Sequence, residues 1–337
     1  MTQPDRPLLL ASALWALTVG GLQAATLASA SACKMQEFGE LNVNADGGDI
    51  TVEAAINGHP VRLIVDTGSD ITMLFHGAAE DLGLKWSSNG AATLYGVGGS
   101  AGIGSTKARE FSIAGVTVKD LTIPVAGRMT SPAAQGLLGA HFLLAGDLEF
   151  DLAAGKVRFL KPTDCQGEQV VYWGGRYTVT PIVPSHVDKR IELRVLLNGK
   201  PVRAMLDSGA GVTTVSAVAA QRLGAGPGSA DLTQGEGLTG LAGAKVDSHV
   251  KVFSTFTFGD ETIKNARIEI ADMFTADEEV HLGSNVPQAV VDFPEMFLGA
   301  DFLRSHRVYV AMSQKKIYAS YVGGPVFARR THPPDPK

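Results

Sequence analysis

The chain has 337 residues, 45% hydrophobic and 19% charged, with a formal net charge of -5 and an isoelectric point near 5.9. That length accommodates two domains of ordinary size, and the composition is that of a globular protein able to bury real cores. Lys and Arg are scattered without runs on an acidic background, which argues against nucleic acid or another polyanion as a partner.

Residues 1–32 read as a targeting segment. Arg6 precedes the apolar run from Leu8 to Val19, and a small-residue stretch, QAATLASASAC, follows before Lys34. Ala28-Ser29-Ala30 and Ala30-Ser31-Ala32 both fit a small-x-small cleavage site, which makes a cleaved signal peptide the leading reading. Two others stay open. Residues 7–33 carry no charge and are long enough to span a bilayer, which would give membrane attachment through the N-terminus; Ala-Ser-Ala-Cys33 is an imperfect lipoprotein box without its Leu. Each reading exports the bulk of the chain, to a periplasmic or secreted location. The two cysteines, Cys33 and Cys165, then favour a disulfide, since an even count in an oxidising compartment pairs. Such a bond closes a loop of about 130 residues; if Cys33 were lipidated, Cys165 would be left over.

From residue 45 onward the pattern is mainly β, and it is written twice. Residues 57–70, NGHPVRLIVDTGSD, match residues 198–211, NGKPVRAMLDSGAG, at seven of fourteen positions and an offset of 141. In order there follow LYGVGG (94–99) against LTGLAG (238–243), and GLLGAHFLL (136–144) against MFLGADFLR (296–304). The offset grows from 141 to 144 to 160, which puts an insertion in the second copy around Thr275 to Val286. We therefore expect an N-terminal lobe over 45–160, a connector over 161–190 rich in Pro and Gly, a C-terminal lobe over 191–322 and a flexible tail over 323–337. Asn-Gly at 57 and at 198 predicts a tight hairpin in each lobe. A further hairpin is expected at 148–160, with its partner at 307–320. Short helices are expected at 77–82 and 216–223, each stopping before a Gly.

Asp66 and Asp207 close the two matched strands. A lone Asp at a strand end is ordinarily a turn residue or cap, because burying an ionised acid without a partner is costly. Duplication changes this, since a two-fold arrangement brings equivalent strand ends towards one axis. Two carboxylates about 3 Å apart cannot both ionise; they share a proton, and one member can act as base while the other acts as acid. A water between them can then attack a carbonyl without a metal or covalent intermediate. Gly68 and Gly209 permit close approach of the loops, and the hydroxyls of Thr67 and Ser208 can bond across them.

Asp66-Thr67-Gly68 and Asp207-Ser208-Gly209, each followed by an apolar-apolar-Gly element at 137–139 and 297–299, resemble the paired motifs of aspartic peptidases. With both acids on one chain, only 141 residues apart, and a Gly-rich candidate flap in each copy, the resemblance is to a tandem, single-chain retropepsin-like form over roughly 45–322. It implies two acid-protease-like β-barrel lobes about a pseudo-two-fold axis, with few short helices. It also implies peptide or protein substrates bound as an extended strand, no cofactor and no metal, and activity as a monomer. Tyr95, Gly96, Val97, Gly98 and Gly99 would form the first flap, and the tip of the second would hold Thr239, Gly240 and Leu241. The sequence departs from the family where Ala140-His141 and Ala300-Asp301 replace the usual Arg-Asn, so Asp70 must find another partner or face solvent. Ser69 can donate its hydroxyl to the carboxylate of Asp66, whereas its counterpart Ala210 cannot. Activity is expected from acid towards mildly acidic pH. The alternative is an exported two-lobed module of the same fold that binds peptides or proteins without cutting them. Gly98-Gly99-Ser100-Ala101-Gly102 imitates a serine-hydrolase elbow but is followed by loop and strand rather than helix. His59 and His141 show no metal-ligand spacing and are expected on the surface.

Overall fold

A computed structural model describes residues 33–88, 90, 93–128, 134–165, 167–184, 189–226, 229, 231–241, 243–273 and 293–329. The targeting segment and the insertion expected around 275–286 lie outside the described residues. The fold is mainly β, two barrel lobes of like plan with four short helices among the described residues.

Each lobe is built around its Asn-Gly hairpin. Thr51–Ile56 pairs antiparallel with His59–Asp66, and Glu192–Leu197 with Lys200–Leu206. Asn57 and Gly58 have φ of 52° and 82°, and Asn198 and Gly199 have 49° and 76°. Two consecutive positive φ values make the type I′ turn, whose twist suits paired strands and which Asn-Gly adopts at low cost. Towards its C-terminal end the second strand of each hairpin is buried on both faces. Val61, Leu63 and Val65 enter the main core, while Ile64 joins a smaller cluster with Met73, Phe75 and Leu137. Likewise Val202, Ala204 and Leu206 face the core, and Met205 packs with Met273 and Phe297.

Next to each of these strands runs an apolar-apolar-Gly segment. Gly136–Gly139 is parallel to His59–Asp66, with Gly139 opposite Asp66, and antiparallel to Met73–Leu74 on its other side. Met296–Leu298 lies in the same way between Lys200–Leu206 and Thr214–Ser216. The segment after each Gly is a short helix, Ala140–Leu143 and Ala300–Ser305, which the sequence pattern did not announce. The helices expected at 77–82 and 216–223 occur at His76–Asp81 and Ala217–Arg222.

The lobes share one platform. Six antiparallel strands run in the order Thr178–Pro181, Lys316–Tyr321, His306–Ala311, Asp147–Asp151, Lys156–Thr163, Lys34–Asn44. The lobes meet where Leu148, Glu149 and Phe150 pair with Val310, Tyr309 and Val308. Glu149 is fully buried there and is neutralised by Arg158 at 2.7 Å and Arg307 at 2.8 Å, so the charge is not left uncompensated. Lys34–Asn44 precedes the expected first lobe, and Thr178–Pro181 falls within the expected connector, so both segments contribute to the shared sheet.

The tail expected over 323–337 needs correction over its described part. Phe327 is buried against Phe256 and Phe302, and the Arg329 guanidinium pairs with Glu269 and donates to the carbonyl of Gly237 at 3.0 Å. The charged run at the very end hides this anchor because the apolar contact rests on Phe327 with only Val326 beside it.

Cys33 and Cys165 form the expected disulfide, with Cα atoms 4.4 Å apart and a sequence separation of 132. It fastens the outer strand Lys34–Asn44 to the end of Lys156–Thr163. Because a long loop is closed, Cys165→Ser should cost about 2–5 kcal/mol. Urea unfolding of the oxidised wild type and the variant checks this; equal midpoints would mean that the bond adds nothing to stability.

Candidate active site

Asp66 and Asp207 sit at the ends of equivalent strands, and their loops cross at the centre of a cleft of about 620 Å³ between the lobes. The crossing is made by Thr67 and Ser208, both buried. The amide of Thr67 donates to Ser208 Oγ at 3.0 Å, and the amide of Ser208 donates to Thr67 Oγ1 at 3.0 Å. Each hydroxyl then donates onward into the opposite loop, Thr67 Oγ1 to the carbonyl of Leu206 at 2.8 Å and Ser208 Oγ to that of Val65 at 2.7 Å. Every polar atom of the two hydroxyls is used, which is what burial demands.

This interlock brings the carboxylates within hydrogen-bonding reach of each other. Each lies against the glycine of the opposite loop: a Cβ built at Gly68 would sit 2.5 Å from the Asp207 carboxyl carbon, and one at Gly209 would collide with Asp66. No side chain fits at either position, so the glycines are required by close approach rather than by φ. The acids are supported alike. Asp66 Oδ1 accepts from the amides of Gly68 (2.9 Å) and Ser69 (3.0 Å), and Asp207 Oδ1 from those of Gly209 (3.0 Å) and Ala210 (3.1 Å). The expected difference between Ser69 and Ala210 is not present, because the Ser69 hydroxyl donates to the carbonyl of Ile71 at 3.0 Å. Only the backbone of residue 69 serves the carboxylate, and Ala210 does this equally well.

Burial holds both acids above the ordinary carboxylate range, and for Asp66 the adjacent Asp207 carboxylate pushes further in the same direction. The amide donors oppose the rise. A charged neighbour this close disfavours ionisation of both members at once.

Two hairpins cover the pair. Thr93–Gly96 with Gly99–Gly102 forms the first, and Leu238–Thr239 with Lys245–Val246 the second. Tyr95, Gly96 and Val97 line the cleft from one side, and Thr239, Gly240 and Leu241 from the other. Gly98, in the turn, and Gly99, which opens the second strand, have φ of 75° and 129° and do not line it. The tips exchange lobes: Val97 packs with Met205, Met273 and Phe297, while Leu241 packs with Ile64, Met73 and Leu137. Gly99–Gly102 leads into another strand, Gly104–Ile113, so Ser100 has no helix behind it and the hydrolase-elbow reading falls. His59 and His141 are exposed, and no metal-ligating cluster occurs among the described residues.

A family model described as aspartyl protease matches residues 52–142 and again 192–302. The chain belongs to the aspartyl protease family. No curated protein matches it. Among solved structures it is similar to an aspartic proteinase from Irpex lacteus, at 14% identity over 86% of this chain and 97% of that one, with a TM-score of 0.48. The first family match contains Asp66 and the first flap hairpin, and the second contains Asp207 and the second hairpin.

Three further charged residues, Asp70, Arg304 and Asp301, flank this aspartyl protease's site. Asp70 is half-buried beside the cleft; burial raises its pKa and the charge of Arg190 opposes the rise. Arg304 reaches from the C-terminal lobe to the carbonyls of Ala45 (3.0 Å), Gly47 (2.8 Å) and Gly48 (2.6 Å), fixing a loop of the other lobe. Its signal was a charged departure, Leu144 against Arg304, in the matched third block, which also sets His141 against Asp301. Asp301 is buried behind the Asp207 loop. It accepts from the amide and hydroxyl of Thr213 at 2.8 and 2.6 Å, and the Thr213 hydroxyl in turn accepts from the amide of Gly299 at 3.0 Å.

Burial lifts the pKa of Asp301 to about 6, against about 3.8 when exposed. A raised carboxyl stabilises the fold fully below the unfolded value and loses that contribution as pH rises through the folded one. Wild type should therefore lose about 3 kcal/mol at most, relative to Asp301→Asn, between pH 4 and pH 7. Urea titrations of both proteins across that range check the sign; a constant difference would show that Asp301 is ionised throughout.

Proposed function

We propose that the protein is an exported aspartic endopeptidase that hydrolyses peptide bonds with a water activated by Asp66 and Asp207. The observation that carries this reading is the carboxyl pair: Asp66 and Asp207 in mutual reach, each with two amide donors, at the floor of a cleft between two lobes. Membership of the aspartyl protease family supports it.

In the resting pair one carboxyl is protonated and the other ionised. A water held between them loses a proton to the carboxylate as its oxygen bonds to the substrate carbonyl carbon. The protonated carboxyl gives its proton to the carbonyl oxygen. The tetrahedral diol then collapses: the C–N bond breaks, the amide nitrogen takes a proton from the acid that accepted one, and the other acid regains its own. Two carboxyls and one water balance every step, with no cofactor.

The substrate is an extended peptide or protein segment bound along the cleft, its backbone paired by main-chain groups. Tyr95 to Val97 and Thr239 to Leu241 close over it, and the glycines of both hairpin tips allow that movement. Both acids come from one chain, so the monomer is sufficient. An exported location fits the N-terminal segment and the disulfide.

Purified protein should cut denatured proteins from acid to mildly acidic pH, and a statine-type inhibitor should block it. Asp66→Asn and Asp207→Asn should each lower kcat by at least about 10²-fold to 10⁴-fold. Neither should lower stability at neutral pH, because each removes a carboxyl that burial disfavours. Peptide binding without cleavage by the wild type would instead identify a non-catalytic binding module.

A further inference from the structure

The dyad is nearly symmetric, yet a peptide has a direction. The two directions can be told apart only by cleft residues that break the two-fold relation. Arg190 is the largest such break. The offset of 141 pairs it with Asp49, and the framework around the two positions is the same: the carbonyl of Ile191 accepts from the amide of Leu206 at 2.9 Å, and that of Ile50 from the amide of Val65 at 2.8 Å. Equivalent places in the two halves thus carry opposite charges, and both line the cleft. Asp70, the acid that faces Arg190, has Gly211 as its counterpart.

Arg190 is also electrostatically incomplete. Its Nε and Nη1 are shielded from solvent and have no hydrogen-bond acceptor among the described residues; they are the buried side-chain polar atoms of which this is true. A guanidinium does not deprotonate, so the deficit cannot be relieved by titration and calls for an acceptor. Asp70 influences Arg190 through its charge but makes no ion pair with it among the described residues. Two edges of a guanidinium, Nε with Nη2 and Nη1 with Nη2, each match a carboxylate in two parallel hydrogen bonds, so one carboxylate can serve either of the unsatisfied nitrogens.

We propose that Arg190 is a specificity-determining residue whose missing acceptor is a substrate carboxylate, supplied by an Asp or Glu side chain on one side of the scissile bond. This rests on the peptidase reading above. It makes the preferred substrate an acidic peptide read in a single direction, with the acid at the Arg190 end of the cleft.

The test uses amidated peptides with one common cleaved core, in which each flanking position in turn holds Glu or Gln, assayed near pH 5.5 where Glu is ionised. At one position wild type should favour Glu over Gln by about 10-fold or more in kcat/KM, in line with a charge-assisted hydrogen bond. Arg190→Gln should bring that ratio to about one, and Arg190→Lys, which keeps the charge and loses the fork, should keep part of it. Shortened peptides with a free or amidated C-terminus separate a side-chain carboxylate from a terminal one; preference for the free terminus alone overturns the assignment. The same Glu and Gln pairs, labelled and bound to Asp66→Asn protein, read the preference by fluorescence anisotropy without cleavage. A Glu preference in binding with no cleavage by wild type sinks the peptidase reading and keeps Arg190's role. No Glu preference in either assay, or one unchanged in Arg190→Gln, overturns the inference and leaves Arg190 as a strut facing Asp70.

Discussion

The four hydrogen bonds that interlock Thr67 and Ser208 fix the separation of everything chemical in this molecule. Each hydroxyl accepts from one amide and donates to one carbonyl of the opposite lobe, so neither loop can slide without breaking buried bonds on both sides. Once the loops cross there, the carboxylates must meet, and the residue after each hydroxyl must be glycine because the opposing carboxylate occupies the space of a Cβ. Desolvation of the pair follows; it raises the pKa of both acids, and the charge of Asp207 raises that of Asp66 further.

The surrounding fold stops the two lobes from pulling this junction apart. The six-stranded platform joins them through backbone pairing at 148–150 and 308–310, with Glu149 held between Arg158 and Arg307. Arg304 adds a tie from the C-terminal lobe to the loop at 45–48, and the hairpin tips exchange lobes through Val97 and Leu241. The tie at Arg304 has no counterpart at Leu144, and Arg190 stands against Asp49. The duplicated chain has therefore diverged where the lobes touch each other and where a bound peptide would pass, and has kept its likeness at the centre.

Much of this was legible in the sequence where the cause is local or repeated. Asn-Gly specifies a turn by its own backbone preferences, so both hairpins could be read directly. The repeat at an offset of 141 related Asp66 to Asp207 because one packing solution serves both halves. What escaped depends on distant partners. Lys34–Asn44 carries weak alternation of its own and is a strand because Lys156–Thr163 offers its edge. Phe327 looks like part of a polar tail until Phe256 and Phe302 are seen beneath it. The Ser69 hydroxyl, expected on the carboxylate, is taken by the carbonyl two residues ahead, a competition that residue type alone does not reveal. Arg190 sits in no motif, and Asp301 stands out only as a departure from one; their neighbours, not their positions in the chain, give them their character.

The claim on which the account turns is that Asp66 and Asp207 hold one proton jointly. Carboxyl ¹³C NMR of the protein labelled at Asp, titrated from about pH 3 to pH 8, tests it most directly, with Asp66→Asn and Asp207→Asn used to assign the pair. Two resonances that move together, with one proton retained well above the ordinary carboxylate range, are the predicted result. Two independent titrations, each near the value of an exposed Asp, would contradict it.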